Sequence, residues 1–218
     1  MPVATLASSR RLLLQRRIRL VVAFTIVYNL IEAAVAISAG TVASSAALVG
    51  FGLDSVVEVL SAAAVAWQFA APDPEKRERA ALRIIAVSFF ALAASVIVGA
   101  FVSLTGLREP QHSPVGIGLA ALSLVVMPAI SLIERRAGRA LGSTSAVADS
   151  KQTLICSYLS AAVLAGLLLN SVLGWAWADS VAALVIAVFA IREGIEAYKG
   201  EACTVSVAEL TGERAAHE

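Results

Sequence analysis

Long apolar stretches separated by short connectors dominate this chain of 218 residues. A helix needs about 20 residues to cross the hydrocarbon core of a bilayer, and in lipid it satisfies its own backbone hydrogen bonds. The stretches that reach this length lie near 18–40, 45–71, 80–107, 115–133, 150–173 and 178–198. They predict an all-α membrane protein with six transmembrane helices.

The composition supports a lipid bilayer as the surrounding medium. Hydrophobic residues make up 59% of the chain and charged residues 15%, whereas soluble domains carry about 25% charged residues. The net charge of +1 gives no reason to expect a nucleic-acid partner. The two cysteines are too few for the disulfide framework of a small secreted domain.

Basic residues are distributed unevenly among the connectors. The clusters at 10–19, 76–83 and 135–139 fall on one side of the membrane if the spans alternate, and the facing connectors contain only Arg108. The positive-inside rule then places both termini in the cytoplasm. We therefore expect a multi-pass protein of the plasma (inner) membrane.

Three regions follow from this arrangement. We expect residues 1–17 to form a basic cytoplasmic N-terminus, residues 18–198 to form the six-helix transmembrane domain, and residues 199–218 to form a short cytoplasmic tail. The tail is too short to form a domain of its own.

Asp54 and Glu58 are the only charged residues of the second stretch and stand one helical turn apart. An ionised side chain at bilayer depth costs roughly 3 kcal/mol, so two acids need compensation there. A bound cation supplies it. Without one, two like charges this close favour keeping at least one proton, which a divalent metal would displace. The alternative is a pair of protonated acids bonded to neighbouring helices.

Polar residues on two other spans extend this candidate site. Asn29 and Glu32 share a face of the first span, and Glu32 lies at a depth comparable to that of Asp54 because consecutive spans run antiparallel. Three acids can thus converge near the midplane. Glu32 is a candidate ligand, and the alternatives are a proton carrier or a structural partner.

The fifth span carries a second polar stripe. Asp149, Gln152, Thr153 and Cys156 follow the spacing of one helical face. Carboxylates combined with a thiolate favour a tetrahedral transition metal such as zinc over magnesium or calcium. Gln152 is alternatively a residue that holds a water or orients a carboxylate, Cys156 a small buried hydrophobe, and Asp149 a solvated boundary charge. Asp179 opens the sixth span, where an acid is expected to cap its own helix.

The segment Gly52-Leu53-Asp54-Ser55-Val56-Val57-Glu58 resembles the second-helix signature of the cation diffusion facilitator family. Trp175-Ala176-Trp177-Ala178-Asp179, at the start of the last span, is also similar to that family, and the resemblance covers most of the chain. Together with Asp149-Ser150-Lys151-Gln152-Thr153, the signature looks most like a short branch, typified by transmembrane protein 163, that lacks the usual cytoplasmic metal-binding domain.

The resemblance implies a homodimeric exporter of zinc or a related divalent ion, driven by proton antiport and alternating access. It places a tetrahedral site between the second and fifth helices, with Asp54 and Glu58 as the second-helix ligands. Family members usually have His and Asp four apart on the fifth helix. Alignment from Asp149 puts Gln152 and Cys156 at those places, counting back from Trp175 gives Thr153 and Ser157, and Glu32 is a candidate for the missing ligand.

The resulting hypothesis is a Zn²⁺ exporter, with no resident cofactor, whose partners are the metal ion, protons, the lipid bilayer and a second copy of the chain. We find neither a nucleophile-and-base pattern nor a glycine-rich phosphate loop, so an enzyme is not expected. Two alternatives are a proton-coupled exporter of small organic cations, with Glu32 or Asp54 beside Tyr28 and Phe51, and a non-transporting membrane partner protein.

Overall fold

A computed structural model describes residues 8–69, 75–107, 109–141 and 144–199. Within these ranges the chain forms six α-helices and no strand, which confirms the predicted all-α fold. The helices are α1 (Ser8–Val42), α2 (Ala46–Phe69), α3 (Glu75–Leu104), α4 (Pro114–Leu141), α5 (Thr144–Leu173) and α6 (Ala176–Lys199). α1 therefore begins inside the predicted N-terminal segment, and the predicted tail beyond Lys199 lies outside the described residues.

Five of these helices contain a segment that is long and apolar enough to cross a membrane. The segments, found among the described residues, are Leu20–Val42, Ala46–Ala64, Arg79–Leu104, Pro114–Ala137 and Thr153–Leu173. They agree closely with the first five predicted spans. α6 has a similar length and packs along α3, but it carries Asp179 near one end and Arg192, Glu193 and Glu196 near the other.

α2 occupies the centre of the bundle. It packs against α1, α3 and α6 and makes a smaller contact with α5, while α4 pairs with α5 and α1. The buried core is rich in alanine, which lets helices approach closely. At Gly52 a Cβ atom would lie 2.9 Å from the Cβ atom of Ala36, so glycine allows α1 to lie directly against this part of α2. That contact brings the polar face of α1 to Asp54.

The start of α2 is held by a residue from α6. Ser45 accepts a hydrogen bond from the N–H of Leu48 (3.0 Å) and donates one to Asp179 Oδ1 (2.5 Å). The N–H of Ala47 donates to Asp179 Oδ2 (3.3 Å). The prediction that Asp179 caps its own helix is therefore wrong. Its carboxylate, fully buried, satisfies the unpaired N–H groups that begin α2.

Candidate metal centre

Three potential metal ligands meet at the contact between α2 and α5. Asp54 and Glu58 project from successive turns of α2, and Cys156 faces them from α5. One ligand atom from each residue lies within 4.8 Å of the others. Asp54 is 8% exposed and Cys156 6% exposed, while Glu58 is partly buried. We refer to Asp54, Glu58 and Cys156 as the triad.

Glu58 is the most highly bonded member of the triad. Its Oε1 accepts a hydrogen bond from the thiol of Cys156, and its Oε2 accepts one from Asn29 Nδ2 at 2.5 Å. Asn29 belongs to α1, so a third helix reaches the triad. The position of the Glu58 carboxylate is thus fixed by donors from α1 and α5.

The electrostatic surroundings of Asp54 are acidic. The residues whose charges act on its buried carboxylate include Glu58, Glu32 and Glu193, which come from α2, α1 and α6. Buried negative groups that face each other are stabilised by protons or by a bound cation. The triad therefore has both the ligand atoms and the electrostatic potential that a metal ion requires.

Glu32 lies beside the triad and within a separate hydrogen-bond network. It is 2% exposed; its Oε1 accepts a hydrogen bond from Ser123 of α4, and its Oε2 accepts one from Ser55 of α2 at 2.8 Å. The hydroxyl groups of Tyr28 and Ser123 are 2.6 Å apart. We call Glu32, Tyr28, Ser55 and Ser123 the Glu32 cluster. The structure brings Glu32 near Asp54, as the depth argument predicted, with both of its oxygens facing hydroxyl groups.

On the fifth helix the structure places Cys156 against the acids of α2. Ser157 is also buried, but its hydroxyl donates to the carbonyl of Thr153 (3.2 Å) within α5. This arrangement corresponds to the alignment that starts from Asp149. Asp149 and Gln152 belong to the helical range of α5, and their side chains lie outside the described residues.

Several residues of these networks were missing from the predicted set of metal ligands, among them Asn29 and Ser123. The sequence could have indicated Asn29, because it stands three positions before Glu32 and shares its helical face. The sequence offers less reason to choose Ser123, which is a single hydroxyl in an apolar stretch of α4. Such serines are too common to single out. Only the packing of α4 against α1 reveals its role.

A comparison with protein families identifies the family of the chain. The family model described as the cation efflux transmembrane domain matches residues 21–199. The chain belongs to the cation efflux family. The match includes α6, so the region that the family shares contains all six helices, with α1 entering at residue 21. This confirms the predicted family and makes the chain a multi-pass membrane transporter of divalent cations.

Proposed function

We propose that this cation efflux protein exports a divalent transition-metal ion, with Zn²⁺ as the preferred substrate, by exchanging it for protons at the triad. The observation that carries the proposal is the convergence of Asp54, Glu58 and Cys156 within 4.8 Å in the bundle interior. The homodimeric state and the cytoplasmic position of both termini, inferred from the sequence, are parts of the same proposal.

The ligand chemistry supports zinc. Magnesium and calcium prefer sites made of oxygen atoms alone, whereas a thiolate with two carboxylates suits a borderline-soft ion. Around tetrahedral zinc, with bonds of about 2.0–2.3 Å, neighbouring ligand atoms are roughly 3.5 Å apart. The ligand atoms of the triad are within 4.8 Å, so small side-chain movements bring them to that separation.

The same geometry supports proton exchange. The sulfur of Cys156 lies against Glu58 Oε1, and a thiol in this position shares its proton with that carboxylate oxygen. Zinc binds the thiolate, and its arrival therefore releases that proton together with any proton shared by the carboxyl groups. Protons returning from the opposite side of the membrane displace the ion. Alternating exposure of the triad to the two sides turns this exchange into export.

The alternative of an organic-cation exporter has less support. Phe51 is buried in the hydrophobic core, and Tyr28 stacks on Phe24 with ring centroids 6.1 Å apart. The Tyr28 hydroxyl is also bonded to Ser123. These contacts occupy the aromatic side chains that would surround an ammonium group, and the ion-binding triad is the better-formed site.

Transport by the purified protein in liposomes tests the proposal. Vesicles carry a zinc indicator and a pH indicator, and the wild-type protein is expected to move Zn²⁺ with an opposite flow of protons. The variant Asp54→Asn with Glu58→Gln should lose flux by about a hundredfold or more, because both anionic ligands are gone. Glu109→Gln, which removes an exposed carboxylate outside the bundle interior, is the matched control.

Each other outcome has a defined meaning. Zinc flux that survives the double substitution would place the transport site elsewhere. Flux of a small tetraalkylammonium ion without zinc flux would support the organic-cation alternative, and absence of both would support the non-transporting partner. Light scattering of the solubilised protein measures whether the chain forms the proposed homodimer.

A further inference from the structure

We propose that Asn29 of α1 supplies the fourth ligand of the metal site through its side-chain oxygen. This inference rests on the proposed function and deepens it. Zinc in proteins is usually bound by four ligands in a tetrahedron, and the triad provides three. The fourth position is therefore open to a residue beside the triad.

Asn29 is in direct contact with Glu58, one residue of the triad. Its side chain is 3% exposed, and its Nδ2 is 2.5 Å from Glu58 Oε2. The bond lengths of an amide place its oxygen and nitrogen about 2.2 Å apart, which puts Asn29 Oδ1 within about 5 Å of the same carboxylate oxygen. That separation is comparable to the spacing within the triad.

The oxygen of Asn29 lacks a partner, which points to a ligand. Oδ1 is buried and makes no hydrogen bond, and among the described residues only Ser61 Oγ and Ser180 Oγ share this property. Buried polar atoms are nearly always bonded, so an unpaired amide oxygen beside the Glu58 carboxylate calls for an explanation. A cation at the triad would give it a partner.

A rotation of the terminal amide would bring the oxygen of Asn29 to the ion. Turning the terminal amide by half a turn exchanges Oδ1 and Nδ2. The oxygen then occupies the place beside Glu58 that the nitrogen holds without metal, where it and the carboxylate face a common ion. Asn29 thus donates to Glu58 in the structure, and in the proposed metal complex it would coordinate through Oδ1.

Among the described residues, two other candidates for the fourth ligand are already engaged. Both oxygens of Glu32 accept hydrogen bonds from serine hydroxyls, and the hydroxyl of Ser157 donates to Thr153 within its own helix. A neutral amide oxygen is a weak ligand, which suits a transport site because binding must be loose enough for release. Ser61, three positions after Glu58, is a further competitor among the described residues, and the experiment below includes it.

Metal binding to the purified full-length protein tests the inference. Zn²⁺ affinity is measured by competition with a chelating indicator, and Co²⁺ absorption reports the geometry and the sulfur ligand. Asn29→Leu removes the oxygen at similar volume, and its zinc affinity should fall about tenfold or more. The tetrahedral Co²⁺ bands should weaken while the sulfur-to-cobalt band of Cys156 persists.

Asn29→Asp separates a ligand from a residue that only orients Glu58. The aspartate keeps an oxygen at the same place but cannot donate to Glu58 when ionised. If Asn29 is a ligand, this variant keeps at least the wild-type zinc affinity and binds with a steeper pH dependence. If Asn29 only orients Glu58, the variant binds as weakly as Asn29→Leu, which would overturn the inference.

The controls distinguish this inference from the proposed function. Asn170→Leu removes another buried amide, one that donates to the carbonyl of Pro110, and should leave zinc affinity unchanged. Ser61→Ala should also bind normally, and a loss there with normal binding by Asn29→Leu would assign the fourth ligand to Ser61. Normal binding by Asn29→Leu, with binding lost in Asp54→Asn plus Glu58→Gln, overturns only this inference. Zinc binding by that double variant overturns the proposed site itself.

Discussion

Buried carboxylates lie at the beginning and in the middle of α2, and their surroundings differ. At the beginning, Asp179 accepts hydrogen bonds from the hydroxyl of Ser45 and the backbone of Ala47. In the middle, Asp54 lies among other acids and beside the thiol of Cys156. A buried carboxylate with donors is compensated by the fold, whereas one among acids depends on protons or a cation. The first arrangement is structural, and the second is suited to exchange.

The largest effect on zinc affinity is expected when Glu58, in the middle of α2, is neutralised. Glu58→Gln removes one anionic ligand and leaves a single side-chain oxygen where two now accept from Cys156 and Asn29, so zinc affinity should fall by about a hundredfold or more. Stability should be unchanged or higher, because repulsion with Asp54 is also removed. Competition with a zinc indicator and thermal unfolding of the metal-free protein measure the two effects. A large loss of stability with normal zinc binding would make Glu58 a structural residue like Asp179.

At the beginning of α2 the expected result is the opposite, a loss of stability with unchanged zinc affinity. Asp179→Asn removes the charge that two donors share, which should cost about 2 kcal/mol of unfolding free energy. Zinc affinity of the folded fraction should remain at the wild-type level, since Asp179 lies outside the triad. Ser45→Ala, which removes one of the donors, should show a smaller loss in the same unfolding experiment. A tenfold drop in zinc affinity for Asp179→Asn would mean that this end of α2 is coupled to the site.

The sulfur ligand should determine which metals bind and how binding depends on pH. Cys156→Ser replaces a soft ligand by a hard one, so the preference for Zn²⁺ and Cd²⁺ over Mn²⁺ should shrink by about tenfold. Binding of the wild-type protein weakens as pH falls, because protons compete for the carboxylates and the thiolate. In the variant this dependence should be shallower by up to one proton. Unchanged selectivity and slope would show that Cys156 is only a packing residue.

The helices and the two α2 residues of the triad could be predicted from local sequence. Spans follow from apolar length, and the pairing of Asp54 with Glu58 follows from the helical repeat, so both depend on residues close in the chain. For α5 the sequence left two alignments open, one with Cys156 and one with Ser157 as a ligand. A helical pattern alone does not determine which face of α5 meets α2. The structure places Cys156 there and keeps Ser157 bonded within α5.

Contacts between distant segments were beyond the sequence patterns. Asp179 has the local setting of a cap for α6, and only the packing of α6 beside α2 directs its carboxylate to Ser45, 134 positions away. Likewise, Ser123 donates to Glu32 across 91 positions. Such bonds depend on which helices are neighbours, and no periodicity within one helix contains that information. Asp179 and Glu32 could be found from sequence, but not their partners Ser45 and Ser123.

The smallest effect is expected in the Glu32 cluster, which shares features of both places on α2. Glu32 is close to Asp54, yet its two oxygens accept hydrogen bonds from Ser55 and Ser123. Glu32→Gln keeps the shape and one acceptor, and the serine hydroxyls can reorient toward the new amide. Equilibrium zinc affinity should therefore stay within about threefold of wild type, a difference below 1 kcal/mol. Zinc titration of this variant beside Glu58→Gln provides the comparison. An equal loss in both would make Glu32 a metal ligand and would merge the cluster with the triad, whereas normal binding with slower proton-coupled flux would make it a proton carrier.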